Sequence, residues 1–273
     1  MRVIIRHLTH YTYEPKAARA ALRLKLFPAR FASQRVLDWQ VRVNGETVAP
    51  LFVNGMGDEE TIWTAKAPVS GLEVTAEGIV ETEDAAGVLS GFAQAARPGV
   101  FLRSTALTTP DEAIRAFAQT ARRDTPLATL HALSEAVSEA IAYTTGSTHA
   151  GVSAAQALAL GKGVCQDQAH VFLAAARCLG APARYVAGYL ANGALATPDT
   201  HAWAEAYVPD LGWIGFDPAN RQCPTDAYIR LAGGLDAIEA APIRGCISHG
   251  VQEGLSTHVE IAHEAKSMQS QSQ

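Results

Sequence analysis

The sequence predicts an α+β protein in two parts: a small all-β part, then one in which helices precede an antiparallel hairpin. Three observations carry this. Between Met1 and Glu83, short runs alternate apolar and polar residues and are separated by turn dipeptides. After Thr109 the apolar residues recur every three or four positions, and capping-box patterns open two of the segments. Alternation then returns in His201–Val208 and Trp213–Asp217, joined by Pro209-Asp210-Leu211-Gly212.

In the first part, Val36–Val43 alternates and runs directly into Asn44-Gly45, a pair that supplies the positive φ angles of a tight hairpin turn. Further strands are expected at Val3–Leu8, Ala21–Phe27, Thr61–Ala65 and Leu72–Val80, with turns at Asn54-Gly55 and Ser70-Gly71. We read residues 1–95 as a sandwich-like β domain. It holds no cluster of Cys, His and acid at useful spacing, so its role is structural or substrate-positioning, and His7 and His10 are read as strand or loop residues.

Helical period begins after Thr109-Pro110-Asp111-Glu112, with Thr109 as cap, Pro110 at the first helical position and Ile114, Phe117, Ala118 and Ala121 on one face. A second helix follows from Leu127, Leu130, Leu133, Val137 and Ile141. A third opens on the capping box Ser153-Ala154-Ala155-Gln156 and stops at Gly161-Lys162-Gly163. These belong to a second domain, residues 96–265, and the Ser/Gln tail 266–273 is expected to be disordered.

Hydrophobic residues make up 48% of the chain and charged residues 18%, the balance of a folded soluble protein. A net charge of −5 argues against nucleic acid or an anionic membrane as partner. The early apolar run is broken too soon for a signal peptide, and no stretch approaches the roughly 20 apolar residues of a membrane span, so a cytoplasmic location is expected. The four cysteines, Cys165, Cys178, Cys223 and Cys246, are too sparse for a disulfide framework. Cys246 and His249 form a Cys-x-x-His without a second pair, so neither metal nor cofactor is expected.

Chemistry concentrates at Gly163-Val164-Cys165-Gln166-Asp167. The apolar periodicity Cys165, Ala169, Phe172, Leu173, Ala176, Leu179 places Cys165 in the first turn of a helix, just after a glycine break. The partial positive charge and free N–H groups there stabilise a thiolate and can face a developing oxyanion. Cys178, deep in the same helix, is read as core. Asp167, two residues past the cysteine, points around the helix; favouring the helix start and a catalytic role both stay open.

The strand His201–Val208 sends His201, Trp203, Glu205 and Tyr207 to one face and Ala202, Ala204 and Ala206 to the other. Whether Asp217 reaches His201 is a matter of register, because a slip of one residue reverses the face. With a three-residue loop, Pro209 to Leu211, Val208 pairs with Gly212 and Asp217 falls opposite Trp203, one diagonal step from His201. A four-residue loop puts Asp217 on the wrong face unless a bulge intervenes.

Four segments in this order, Gly163–Asp167, Leu179–Tyr189, His201–Tyr207 and Gly212–Pro218, resemble the transglutaminase-like superfamily, and most closely its bacterial members with an N-terminal β region. The resemblance implies a papain-like core, with the cysteine helix packed on an antiparallel sheet, and a triad of Cys165, His201 and Asp217. Trp203, Tyr189 and Gln166 are assigned to substrate contact, and Asn192–Thr200 to a loop bordering the substrate. The departure lies at Gly233-Gly234-Leu235-Asp236, where Gly-Arg-Asp-Tyr is expected. The expected activity is a thiol-dependent amide or peptide hydrolase working through an acyl-thioester on a peptide or protein amide. Transamidation by the same triad and a non-catalytic peptide-binding scaffold are the alternatives.

Overall fold

The computed structural model describes residues 1–191, 200–248 and 250–263. Its first strands are β1 (Arg2–Ala17), β2 (Ala20–Leu24), β3 (Gln34–Val43), β4 (Glu46–Val48), β5 (Phe52–Val53), β6 (Glu59–Thr64) and β7 (Val69–Thr82). There follow α1 (Glu112–Thr120), α2 (Pro126–Ala140), β8 (Ala142–Tyr143), α3 (Ala154–Leu160), β9 (Lys162–Gly163) and α4 (Cys165–Cys178). The last elements are β10 (Ala183–Leu190), β11 (His201–Val208), β12 (Gly212–Phe216), β13 (Tyr228–Gly234), α5 (Ala237–Ala240), β14 (Ile243–Ile247) and β15 (Gln252–His263).

The β part is two sheets, ordered β15-β1-β7-β3-β4 and β14-β2-β6-β5. Along β1, buried residues alternate with exposed ones, and Val3 and Ile5 join Leu22 and Leu24 of β2 and Val41, Val43, Leu72 and Val74 in one core. Asn44 and Gly45 have φ of 50° and 80° and close the β3–β4 hairpin, as that dipeptide predicts. Ser70-Gly71 is not a turn but lies inside β7. A side chain on Gly71 would stand 2.6 Å from the Tyr11 carbonyl, so glycine serves close strand approach there.

Strand pairing draws the boundary differently from a linear division at residue 95. β14 pairs with β2 and β15 with β1, so residues 243–263 belong to the β part although they follow the second part in sequence. The edges of β1 and β2 need partners for their N–H and C=O groups, and a pairing across more than 200 residues leaves no trace in local periodicity. Residues 85–102, on either side of that division, pack against the second part. Leu89 donates to Trp213 O (2.9 Å) and Gly215 to Gly87 O (2.9 Å), covering the outer edge of β12, and Phe101 packs edge-on against Trp213.

In the second part α4 lies on a sheet ordered β12-β11-β10-β13. Ala169, Phe172, Leu173 and Ala176 share a core with Ala202, Ala204 and Ala206, the small-residue face that lets the helix sit close to β11. The capping box at Ser153 forms, and Gly161 ends α3 in the left-handed region at φ 66°. α1 starts two residues later than predicted. Asp111 is its cap, accepting from Ile114 N, while the Thr109 hydroxyl donates back to Thr105 O. Among the described residues no helix is long and apolar enough to cross a membrane.

The two parts meet on buried charge. Asp58 accepts from Lys25 Nζ (3.1 Å) and Arg230 Nη1 (3.2 Å), and Glu205 from Arg230 Nε (3.0 Å) and Arg184 Nε. The free edge of β13 is closed by side chains of the β part: Gln34 accepts from Arg230 N (2.7 Å) and donates to Arg230 O (2.9 Å), and Asp58 accepts from Gly233 N (3.1 Å). The network therefore ties β11, which carries His201, to the sandwich.

Candidate active site

Cys165 is the first residue of α4, after Val164 as N-cap. Its setting is built by Asp167, whose Oδ2 accepts from Val164 N (2.8 Å) and from the Thr148 hydroxyl (2.6 Å). That carboxylate satisfies a backbone donor at the helix start and pins the 144–152 segment beside the cysteine, which answers the open question about Asp167 in favour of capping. The glycine break has the same origin. A Cβ on Gly163 would lie 2.6 Å from Asp167 Oδ2, so only glycine lets the carboxylate reach Val164. The N–H groups of Cys165 and Gln166 precede the first α-helical bond and face outward from the helix start.

β11 and β12 pair with Val208 opposite Gly212, across the three-residue loop Pro209–Leu211. Asp210 and Gly212 take φ of 68° and 85° to close it. Asp217, one residue past β12, comes out on the His201 face, with Oδ2 2.7 Å from His201 Nε2. That leaves Nδ1 free of Asp217, and the Cys165 thiol lies close enough to contribute to the titration of the ring. Burial disfavours a charged imidazole, but the bonds to Asp217 and Cys165 and the charge of Asp217 outweigh it and raise the His201 pKa to about 10.

Asp217 is fully buried. Burial pushes its carboxyl up, yet the donors around it hold it below the usual carboxylate range. Oδ1 accepts from the backbone N–H of Ala219 (3.0 Å) and Asn220 (3.3 Å). Oδ2 accepts, besides His201, Asn220 Nδ2 (2.7 Å) and the Tyr228 hydroxyl (2.7 Å), and Gln222 Nε2 donates in turn to that hydroxyl (2.9 Å). Sequence reasoning missed Asn220, Gln222 and Tyr228. The signal for Asn220 was the turn Asp217-Pro218-Ala219-Asn220, which invites an aspartate to bind the N–H groups that follow it. Tyr228 carried no local signal.

The three residues assigned to substrate separate. Gln166 stays at the solvent-facing start of α4, 3.4 Å from Ala150 O. Trp203 is buried behind His201, edge-on to Tyr228 at 5.4 Å between centroids, and both line a cavity of about 40 Å³ shared with Gln34, Glu205 and Arg230. Tyr189 is not in the cleft at all. It lies one residue beyond the last β10–β11 pair, Gly188 opposite His201, and enters the core between the two parts, where its hydroxyl meets His7 Nδ1 at 2.8 Å. Three pieces of the prediction fall outside the described residues: 192–199 of the loop before His201, His249, and the tail 266–273. Among the described residues no three His, Cys, Asp or Glu side chains converge as a metal site would.

The other thiols contrast with Cys165. Burial pushes Cys178 and Cys223 up, and among the described residues neither has a histidine partner like His201; Cys246 is exposed.

Comparison with known proteins agrees with this organisation. Residues 115–218 match the model of the transglutaminase-like superfamily, and residues 3–81 that of the bacterial transglutaminase-like N-terminal region. An uncharacterised protein of Mycobacterium leprae is 30% identical over 276 residues, covering 96% of this chain and 98% of that protein. One from Mycobacterium tuberculosis H37Rv is 28% identical over 274 residues, covering 90% and 87%. A crystal structure from Cytophaga hutchinsonii, described as a "putative cysteine protease", is similar with a TM-score of 0.75 at 24% identity over 96% of this chain and 90% of that one, a likeness of fold.

Proposed function

The chain belongs to the transglutaminase-like superfamily, and from that premise we propose that it is a thiol-dependent amide or peptide hydrolase with Cys165 as nucleophile, His201 as acid and base, and Asp217 as orienting carboxylate. The observation that carries this reading is the bond from His201 Nε2 to Asp217 at 2.7 Å, in an imidazole that also feels a cysteine at a helix start.

In the proposed reaction Cys165 rests as a thiolate beside the His201 imidazolium. The sulfur attacks a substrate amide carbon, and the oxyanion that forms is met by first-turn N–H groups of α4. His201 gives its proton to the leaving amine, the C–N bond breaks, and an acyl-thioester remains on Cys165. Water, deprotonated by His201, attacks the thioester carbon and releases the carboxylic acid. A primary amine in place of water would give transamidation; hydrolysis is favoured because water needs no second binding site.

The test is mass spectrometry of a peptide library incubated with the protein, with and without excess primary amine. Hydrolysed product that disappears in Cys165→Ala and His201→Ala supports the hydrolase. Product appearing only with amine makes the protein an acyltransferase, and no product in either condition points to a peptide-binding scaffold.

A further inference from the structure

Oδ2 of Asp217 takes three donors, His201 Nε2, Asn220 Nδ2 and the Tyr228 hydroxyl, each at 2.7 Å. A carboxylate oxygen has about two lone pairs, so these donors compete for it, and each weakens the hold on the others. The orientation of the carboxylate does not depend on Tyr228. Oδ1 is fixed by the N–H groups of Ala219 and Asn220, and the Asp217 backbone is bridged to Gln222 in both directions, at 2.9 and 3.2 Å. What the tyrosine adds is a share of the charge. Gln222 donates into its oxygen, which leaves the O–H to point at Asp217 and polarises it in that direction.

We infer that Tyr228 is a positioning residue that sets how readily His201 gives up its proton, by sharing the Asp217 oxygen that holds the imidazolium. The inference rests on the proposed acid–base role of His201. An imidazolium held too tightly is a poor acid toward a leaving amine, and one held too loosely does not persist beside the thiolate. The ionisable and polar groups facing this centre come from several elements: Cys165 from α4, Asp217 and Asn220 from the turn after β12, and Tyr228 from β13. Tyr185 of β10, buried in the core that α4 packs on, lies within electrostatic reach of Cys165 and Asp167. Among them Tyr228 supplies a neutral donor to the same oxygen as His201 without contributing to the backbone of the turn. Trp203 and the His201 ring pack against its ring rather than its hydroxyl, so phenylalanine keeps that packing.

The experiment is a pH titration of the His201 ring nitrogens by ¹⁵N NMR in the full chain, comparing the parent with Tyr228→Phe. A second variant, Tyr228→Phe with Gln222→Leu, leaves no stranded amide to occupy the vacated place. Both variants are expected to move the His201 midpoint upward, by roughly half a pH unit or more. An unchanged midpoint, or one that falls as it would if the hydroxyl merely oriented the carboxylate, overturns the inference. Because the titration reads the proton and not turnover, an upward shift in a protein that cleaves no peptide would sink the hydrolase and leave the role of Tyr228 standing.

Discussion

Val208 faces Gly212 across the β11–β12 hairpin, and that one pairing decides that Asp217 emerges on the same side of the sheet as His201. The three-residue turn between them holds the register through Asp210 and Gly212, both at positive φ. Inserting one glycine after Asp210 is expected to turn Asp217 to the α4 face while leaving the sandwich intact. Alkylation of Cys165 at neutral pH, followed by site-resolved mass spectrometry, should then slow to the rate of Cys178. An insertion mutant that keeps the parental rate would show that the chain slips elsewhere to preserve the pair.

Loss of the Asp217 charge removes the main force opposing burial at His201. In the parent the pKa is raised from 6.5 to about 10, so the imidazolium persists through neutrality, and hydrolysis should fall only as pH climbs past about 10 and the acid is lost. In Asp217→Asn only the Cys165 interaction is left to oppose burial, which favours the neutral form, and the titration should fall well below about 10. The expected loss in kcat/KM at pH 7 is on the order of 10²-fold or more, given what general acid–base catalysis contributes. An Asp217→Asn variant with unchanged pH dependence would remove Asp217 from the mechanism.

Gly163 tests the site at the other end. Alanine there needs its Cβ 2.6 Å from Asp167 Oδ2 and 2.7 Å from Asp167 Cβ, both in a buried side chain held by Thr148 and Val164. The start of α4 has to shift, so Gly163→Ala should cost ~1–3 kcal/mol by overpacking. Its effect on the Cys165 alkylation rate should exceed that of Thr148→Val, which loses one bond to the same carboxylate and adds no clash.

Much of this site was legible because its parts are local. A cysteine after a glycine, an alternating strand with three alanines on one face, and a countable turn each follow from spacing within about ten residues. Tyr189 was misplaced because alternation along β10 does not say where the neighbouring strand stops, and the residue lies just past the end of β11. Tyr228 was missed for a related reason. Its hydroxyl reaches Asp217 from the first residue of the strand on the far side of β10, a contact fixed by sheet order β12-β11-β10-β13. Pairings of β14 with β2 and β15 with β1 were invisible for want of any turn linking them.

Two buried histidines away from the site make stability depend on acid. His7 and His170 both have pKa values lowered by burial from 6.5 to about 4. The unfolded chain binds protons to both below pH 6.5 while the folded one resists until about 4, so their neutral burial is free of penalty above 6.5 and stability is lost as pH falls between those values. At pH 5 the loss is on the order of 2 kcal/mol for each imidazole. Thermal melts of the parent and His7→Gln should converge on going from pH 7.5 to 5, since glutamine cannot titrate; parallel curves would show that His7 protonates without unfolding.

Asp58 is the point at which the β part holds the sheet that carries His201. Its two oxygens bind Lys25, Arg230 and Gly233 N, and all of these groups are buried. Asp58→Ala leaves Lys25, Arg230 and Arg184 facing Glu60 and Glu205 with one negative charge too few, and the N–H of Gly233 loses its acceptor. Breaking a buried pair by removing one partner costs about 3–5 kcal/mol, more than the charge itself contributes when paired. The double change Asp58→Leu with Lys25→Met removes one charge of each sign and should recover part of that loss in urea denaturation. If the single variant unfolds no earlier than the parent, water reaches the network and the charges are not sealed between the two parts.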